Sequence, residues 1–246
     1  MYAHNRPVVL LRVTGIELEQ AFLGFIIMNY DKDTATYPLV SIVLTTYNRA
    51  HLLPRAIDSV LMQHYESWEL LLVDDGSQDE TPALLRTLTG HDARIRTFRH
   101  SNRGPAASRN AGMREVRGEF LTFLDSDDEY LAEHLYLRVA FMLAHPEVHF
   151  IHGGVVVEGS EAEQLVPDVN DTTRRIHIDR CAVGGTFFAR RGVIEKAGGW
   201  RPGYGEDADL FERIERLFTV RRIDVPTYLY HRDTADSRCT LHSTRL

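Results

Sequence analysis

The sequence predicts an α/β protein with a mainly parallel sheet flanked by helices. Three observations carry that expectation. Short apolar runs rich in β-branched residues recur from residue 39 onward, stretches with apolar residues at helical spacing separate them, and each run ends in a polar turn. Strand–helix alternation at this interval implies βαβ units with right-handed crossovers.

Residues 39–45 (LVSIVLT) form the first buried strand, and Leu52, Leu53, Ala56, Ile57, Val60 and Leu61 mark the helix after it. Residues 68–73 (WELLLV) are a second buried strand, stopped by Asp74-Asp75-Gly76-Ser77. A helix over 81–88, a strand over 95–98, a helix over 106–116 and a strand over 120–124 (FLTFL) follow, then a helix over 131–143. Beyond Pro146 the rhythm changes. Residues 150–157 and 183–189 are strand-like, 159–175 is polar and expected to be a mobile loop, and Leu210, Phe211, Ile214, Leu217 and Phe218 form a helical stripe. Residues 225–230 are a last strand. Residues 1–36 fit neither half, although 8–13 suits a strand and 16–28 an amphipathic helix.

Composition excludes several classes. The chain has 246 residues, 43% of them apolar, and a net charge of −7, an ordinary globular mixture that argues against nucleic-acid binding by bulk charge. Two distant cysteines, Cys181 and Cys239, cannot make a disulfide scaffold or a zinc ribbon. No apolar run reaches the ~18 residues of a membrane span, and residues 1–12 lack the layout of a signal peptide. The expected location is the cytoplasm, with peripheral attachment to the inner membrane face as an option.

In parallel α/β sheets, ligands bind beyond the carboxyl ends of the strands. Those ends here read Thr45-Thr46-Tyr47-Asn48, Asp74-Asp75-Gly76-Ser77, His100-Ser101-Asn102-Arg103-Gly104 and Asp125-Ser126-Asp127-Asp128. One such turn would be a turn or a helix cap; four in register, two of them acidic, point to a site. Asp125 and Asp127, two residues apart at a strand exit, can converge on a hard divalent cation that completes its shell with substrate phosphates. An EF-hand is excluded because its glycine and final glutamate are missing.

Three segments carry a resemblance: VSIVLTTYNRAHLLPRAIDSVLMQHYESWELLLVDDGSQDET, NRGPAASRNAGMREVRGEFLTFLDSDDEYL and GGTFFARRGVIEKAGGWRPGYGEDADLFERI. Together, over residues 38–232, they resemble the family 2 glycosyltransferases of GT-A (Rossmann-like) fold. The resemblance implies a single domain over 37–232, with a nucleotide-binding half (37–130) and an acceptor half (131–232). Residues 1–36 would be an extension and 233–246 a polar tail. It implies transfer of a sugar, with inversion, from a nucleoside-diphosphate sugar (UDP-sugar favoured) to a hydroxyl on a saccharide or lipid-linked saccharide. Thr45 and Tyr47 would line the nucleotide pocket. Asp75, ahead of Asp74, would meet the base, and Arg109 and Asn110 would lie near the sugar or diphosphate. Asp125 and Asp127 would hold Mn²⁺ or Mg²⁺ and the diphosphate, with His231 a further candidate ligand. Asp207 would be the general base and Trp200 would face the acceptor. The absence of a Gln-x-x-Arg-Trp motif and of membrane spans argues against the processive, membrane-embedded synthases.

Elementary chemistry agrees. Glycosyl transfer needs a base on the acceptor hydroxyl, room for the sugar and charge neutralisation on the leaving diphosphate. Without the other motifs, Glu206 and Asp207 would read only as acids favouring a helix start. His149 and His152, three apart on a strand, point to opposite faces and read as structural, and Phe187 and Phe188 read as core. Arg174-Arg175 suit a solvated face or an anionic acceptor. Two other readings compete. A sugar-nucleotide pyrophosphorylase would want a glycine-rich loop after the first strand, where Thr45-Thr46-Tyr47-Asn48-Arg49 stands. An inactive nucleotide-sugar-binding module would be marked by loss of Asp127 or Asp207, and both are present.

Overall fold

A computed structural model describes residues 37–158, 164–169, 171, 173–203 and 205–232. The expectations for residues 1–36 and 233–246 lie outside the described residues.

The strands are β1 (Val40–Thr46), β2 (Trp68–Asp74), β3 (Ile95–Arg99), β4 (Phe120–Asp125), β5 (Glu129–Tyr130), β6 (Phe150–His152), β7 (Val155–Glu158), β8 (Leu165–Pro167), β9 (Arg175–His177), β10 (Phe188–Arg190), β11 (Val220–Arg222) and β12 (Tyr228–His231). The helices are α1 (Leu53–Leu61), α2 (Thr81–Thr89), α3 (Pro105–Met113), α4 (His134–Ala144), α5 (Val193–Lys196) and α6 (Glu206–Glu215). Seven strands form the main sheet in the order β11-β6-β10-β4-β1-β2-β3. All its pairs are parallel except those of β10, which runs against β4 and β6. The expected mainly parallel sheet is therefore present, with one reversed strand. All seven residues of β2 are buried, as expected for a strand covered on both faces. The core joins this sheet to α3 and α6 through Val43, Val73, Met113, Phe123, Phe187, Leu210 and Ile214.

The chain leaves β1 toward β2 on one side, while β4 pairs on the other. This is a topological switch point, where α/β sheets open a crevice for ligands. Register places Thr45 beside Asp125 across it, and Thr46 beside Asp74.

The carboxyl-terminal half departs from the expected elements. The run 150–157 is two strands, because Gly153 (φ +99°) and Gly154 (φ +78°) break it and send β7 to a second sheet, β5-β12-β7. A Cβ on Gly154 would lie 1.9 Å from the Val225 carbonyl oxygen, so only glycine permits that approach. The run 183–189 is a 3₁₀ turn, Gly184–Thr186, followed by β10. The segment 159–175, expected to be irregular, holds β8, which pairs antiparallel with β9 starting at Arg175, and Val166 is buried. Among the described residues no helix is long and apolar enough to cross a membrane.

Candidate active site

The strand exits are fastened to one another mainly by backbone N–H groups. Asn48, with φ +52°, donates its N–H to Ser77 Oγ (2.9 Å) and accepts from the Gln78 N–H (2.8 Å). The Asp74 carboxylate accepts from the Ser77 N–H at 2.8 Å. Asp75 accepts from the Arg103 and Gly104 N–H groups, both at 2.8 Å, and so fixes the loop that leads into α3. Its expected contact with a base would use the second lone pair of an oxygen already engaged. Beyond these exits lies a cleft of about 700 Å³. Thr45, Tyr47, Asp75, Arg109, Asp125, Asp127, Asp207 and His231, the residues expected from sequence, all line it.

Arg109 lies at the centre. α3 carries it, buried, over the face of Trp200 with 4.5 Å from guanidinium to ring. It donates from Nη2 to Asp125 Oδ1 (2.7 Å) and from Nη1 to Glu206 Oε1 (2.5 Å). Burial opposes its charge, but the fields of Asp125, Asp207 and Glu206 outweigh this and hold its pKa above the ordinary value. One cation thus ties the exit of β4 to the first turn of α6.

Asp207, also in that first turn, accepts from the Gly184 N–H at 3.0 Å through Oδ2, while Oδ1 is shielded from solvent and has no hydrogen-bond partner. Burial pushes its pKa up to about 6; Arg109 pulls the other way, and Asp125 and Glu206 add to the rise. Gly184 is required at this contact, since a Cβ there would lie 2.6 Å from Asp207 Oδ1.

The acids after β4 have different surroundings. Asp127 has Arg49 at 3.9 Å, and its backbone carbonyl accepts from Arg55 at 2.5 Å. Asp128 is buried and accepts from Tyr228 Oη (2.6 Å) and the His231 N–H (2.9 Å). Its desolvation, with Asp127 and Asp125 nearby, raises its pKa well above the usual carboxylate range.

Other expected residues lie elsewhere. Asn110 braces the core, exchanging two hydrogen bonds with the Trp200 backbone (2.8 and 2.9 Å). Trp200 is buried against Phe123 and Phe187 beneath Arg109, so it supports the site and does not itself line the cleft. His231 reaches the cleft, but its ring is held between Glu129 (2.8 Å) and Glu158 (2.7 Å). To ligate a metal it would have to release one of them. His152, read from sequence as structural, lines the cleft against Phe211. Burial lowers its pKa to about 4, so it is neutral at physiological pH. The available signal is the Gly153-Gly154 pair, which ends β6 directly after His152 within a run that reads as one strand. Val166, Ile176, Ile178, Val183 and Phe211 give the cleft an apolar part of its lining.

No three His, Cys, Asp or Glu side chains among the described residues form a closed metal cage. The donor set nevertheless fits a divalent cation shared with a diphosphate. Arg109 brings one positive charge to three carboxylates, leaving a net negative site in which Asp125 and Asp127 could supply the hard oxygen ligands Mg²⁺ or Mn²⁺ prefers.

Comparison with known proteins follows the same lines. A Haemophilus influenzae protein described as an uncharacterized glycosyltransferase is 37% identical over 160 residues, 65% of this chain and 63% of that protein. An Escherichia coli protein named UDP-Glc:alpha-D-GlcNAc-diphosphoundecaprenol beta-1,3-glucosyltransferase WfgD is 33% identical over 149 residues, 59% of this chain and 57% of its own. The chain thus spans less than two thirds of these relatives. Among solved structures, Staphylococcus aureus TarS in complex with UDP-GlcNAc matches with a TM-score of 0.65 at 18% identity, over 82% of this chain and 60% of that one. The mannosyltransferase PcManGT of Pyrobaculum calidifontis, in complex with GDP-Man and Mn²⁺, matches with a TM-score of 0.65 at 18% identity, over 92% of this chain and 68% of its own. At that identity the likeness is one of fold, the GT-A fold. The family model for glycosyl transferase family 2 matches residues 41–197, well over half of the sequence, and the chain belongs to that family.

Proposed function

We propose that this glycosyltransferase works with inversion and a divalent cation, moving a sugar from a nucleoside-diphosphate donor to a hydroxyl of a saccharide or lipid-linked saccharide. The observation that carries this reading is the juxtaposition of two kinds of carboxylate in one cleft. Asp125 and Asp127 sit at the strand exit, and Asp207 stands across Arg109 with its pKa raised to about 6. A carboxylate so tuned is largely deprotonated at neutral pH yet basic enough to take an acceptor proton.

In this reading residues 37–130 hold the donor. Thr45, Tyr47 and Asp75 line the nucleotide end, and Asp125 and Asp127 would hold Mn²⁺ or Mg²⁺. When bound, the cation supplies charge neutralisation for the departing diphosphate. Asp207, presented from the acceptor half (131–232), removes the hydroxyl proton from the face opposite the leaving group, which gives inversion. The apolar part of the cleft's lining excludes water, limiting hydrolysis of the donor. A UDP donor is favoured by Asp75 at the base end and by the printed name of the Escherichia coli relative. That relative's name and a Campylobacter jejuni relative's, GalNAc(5)-diNAcBac-PP-undecaprenol beta-1,3-glucosyltransferase, support a lipid-linked acceptor. With such an acceptor the protein works peripherally at the inner face of a membrane.

The test is a panel of nucleotide sugars incubated with the protein and Mn²⁺, scored for free nucleoside diphosphate. The expected result is release from one UDP-sugar above all, abolished by excess chelator. Release unaffected by chelator would remove the cation from the account. No release from any donor, with or without lipid-linked acceptors, would favour a binding module instead.

A further inference from the structure

Glu206 precedes the residue read as the base, and from sequence alone it is an acid favouring a helix start. The structure gives it another place. Its carboxylate is buried and bound to Arg109 at 2.5 Å, and the other end of the same guanidinium holds Asp125 at 2.7 Å. The two acids are 81 positions apart in sequence and both line the cleft. They draw on one cation, whose stacking over Trp200 limits how far it can move.

We propose that Glu206 is a positioning residue for the donor site. By engaging one arm of Arg109, it stops the guanidinium from closing wholly on Asp125 and so keeps that carboxylate available to a divalent cation. The inference rests on the proposed cation role of Asp125. Its physical content is competition. Charged hydrogen bonds are roughly twice as strong as neutral ones, so removing the charge of Glu206 shifts Arg109 toward the remaining carboxylates. Asp125 then offers less to an incoming cation, although Glu206 never touches the ligand.

E206Q is the variant of choice, because its amide oxygen still accepts from Arg109 while the charge is gone. The probe is UDP titrated calorimetrically with Mn²⁺ and with chelator. Groups that share one ion-pair network couple strongly. The expected result is therefore UDP affinity about fivefold weaker in Mn²⁺ and unchanged in chelator, with the Mn²⁺ deficit recovered as Mn²⁺ is raised. A merely structural role for Glu206 would weaken both titrations alike or neither, and either outcome overturns the proposal. Should E206Q not fold, E206D keeps the charge but shortens the reach, and the same split is expected with a smaller amplitude. Wild-type protein whose UDP affinity ignores Mn²⁺ would instead remove the cation reading itself. An intact wild-type dependence with an E206Q protein that behaves identically removes only this inference.

Discussion

Asp128 follows Asp125 and Asp127 in sequence but serves the fold, not the cleft's chemistry. It is buried and takes hydrogen bonds from Tyr228 Oη and the His231 N–H, which pin β12 beneath the acidic turn. For nucleotide binding, Asp128→Ala is expected to matter less than Asp127→Ala; for stability the structure gives the opposite order. Truncation leaves a phenol and a backbone N–H buried without a partner, at a cost of about 1–3 kcal/mol. Urea unfolding should therefore show Asp128→Ala destabilised by about 2 kcal/mol and Asp127→Ala much less so; equal stabilities would contradict this. In an Asp-Ser-Asp-Asp string nothing separates an acid that faces solvent from one that anchors a strand 100 residues away. That distinction depends on a tertiary partner, Tyr228. The pairing of Asn110 with the Trp200 backbone is hidden from the sequence for the same reason, since the two lie 90 residues apart.

At the scale of elements, residues 37–125 are legible because β1, β2 and β4 are long apolar runs and the first four strands end in aligned polar turns. Beyond residue 131 the described strands are three or four residues long, too short for periodicity to mark. Glycines do the organising there: Gly153 and Gly154 redirect the chain, and Gly184 lets a backbone N–H approach the α6 carboxylate. Gly184→Ala would set a Cβ 2.6 Å from Asp207 Oδ1 and 2.8 Å from the Trp200 ring, so it should push Asp207 aside and cost some stability. Misplacing a reacting group by about 1 Å can cost on the order of 10²-fold. Steady-state turnover should fall about 10-fold or more with UDP binding nearly unchanged. Wild-type turnover would show that the Gly184–Asp207 approach is not required.

For the whole molecule, the sheet fixes two sets of groups in one cleft. Arg109 links them, and the fold places that link at the switch point between β1 and β4. The central claim is that Asp207 takes the acceptor's proton. Its pKa, raised to about 6, makes its charged form the working one, so activity should rise as pH climbs through about 6 and level off above it. The most direct measurement is the pH–rate profile of wild type beside Asp207→Asn, with donor binding measured on both. The account predicts nearly equal donor affinity. It also predicts a wild-type limb near pH 6 and a variant slower by about 10²-fold or more that lacks that limb. An Asp207→Asn protein with wild-type turnover, or one that keeps the limb, would contradict it.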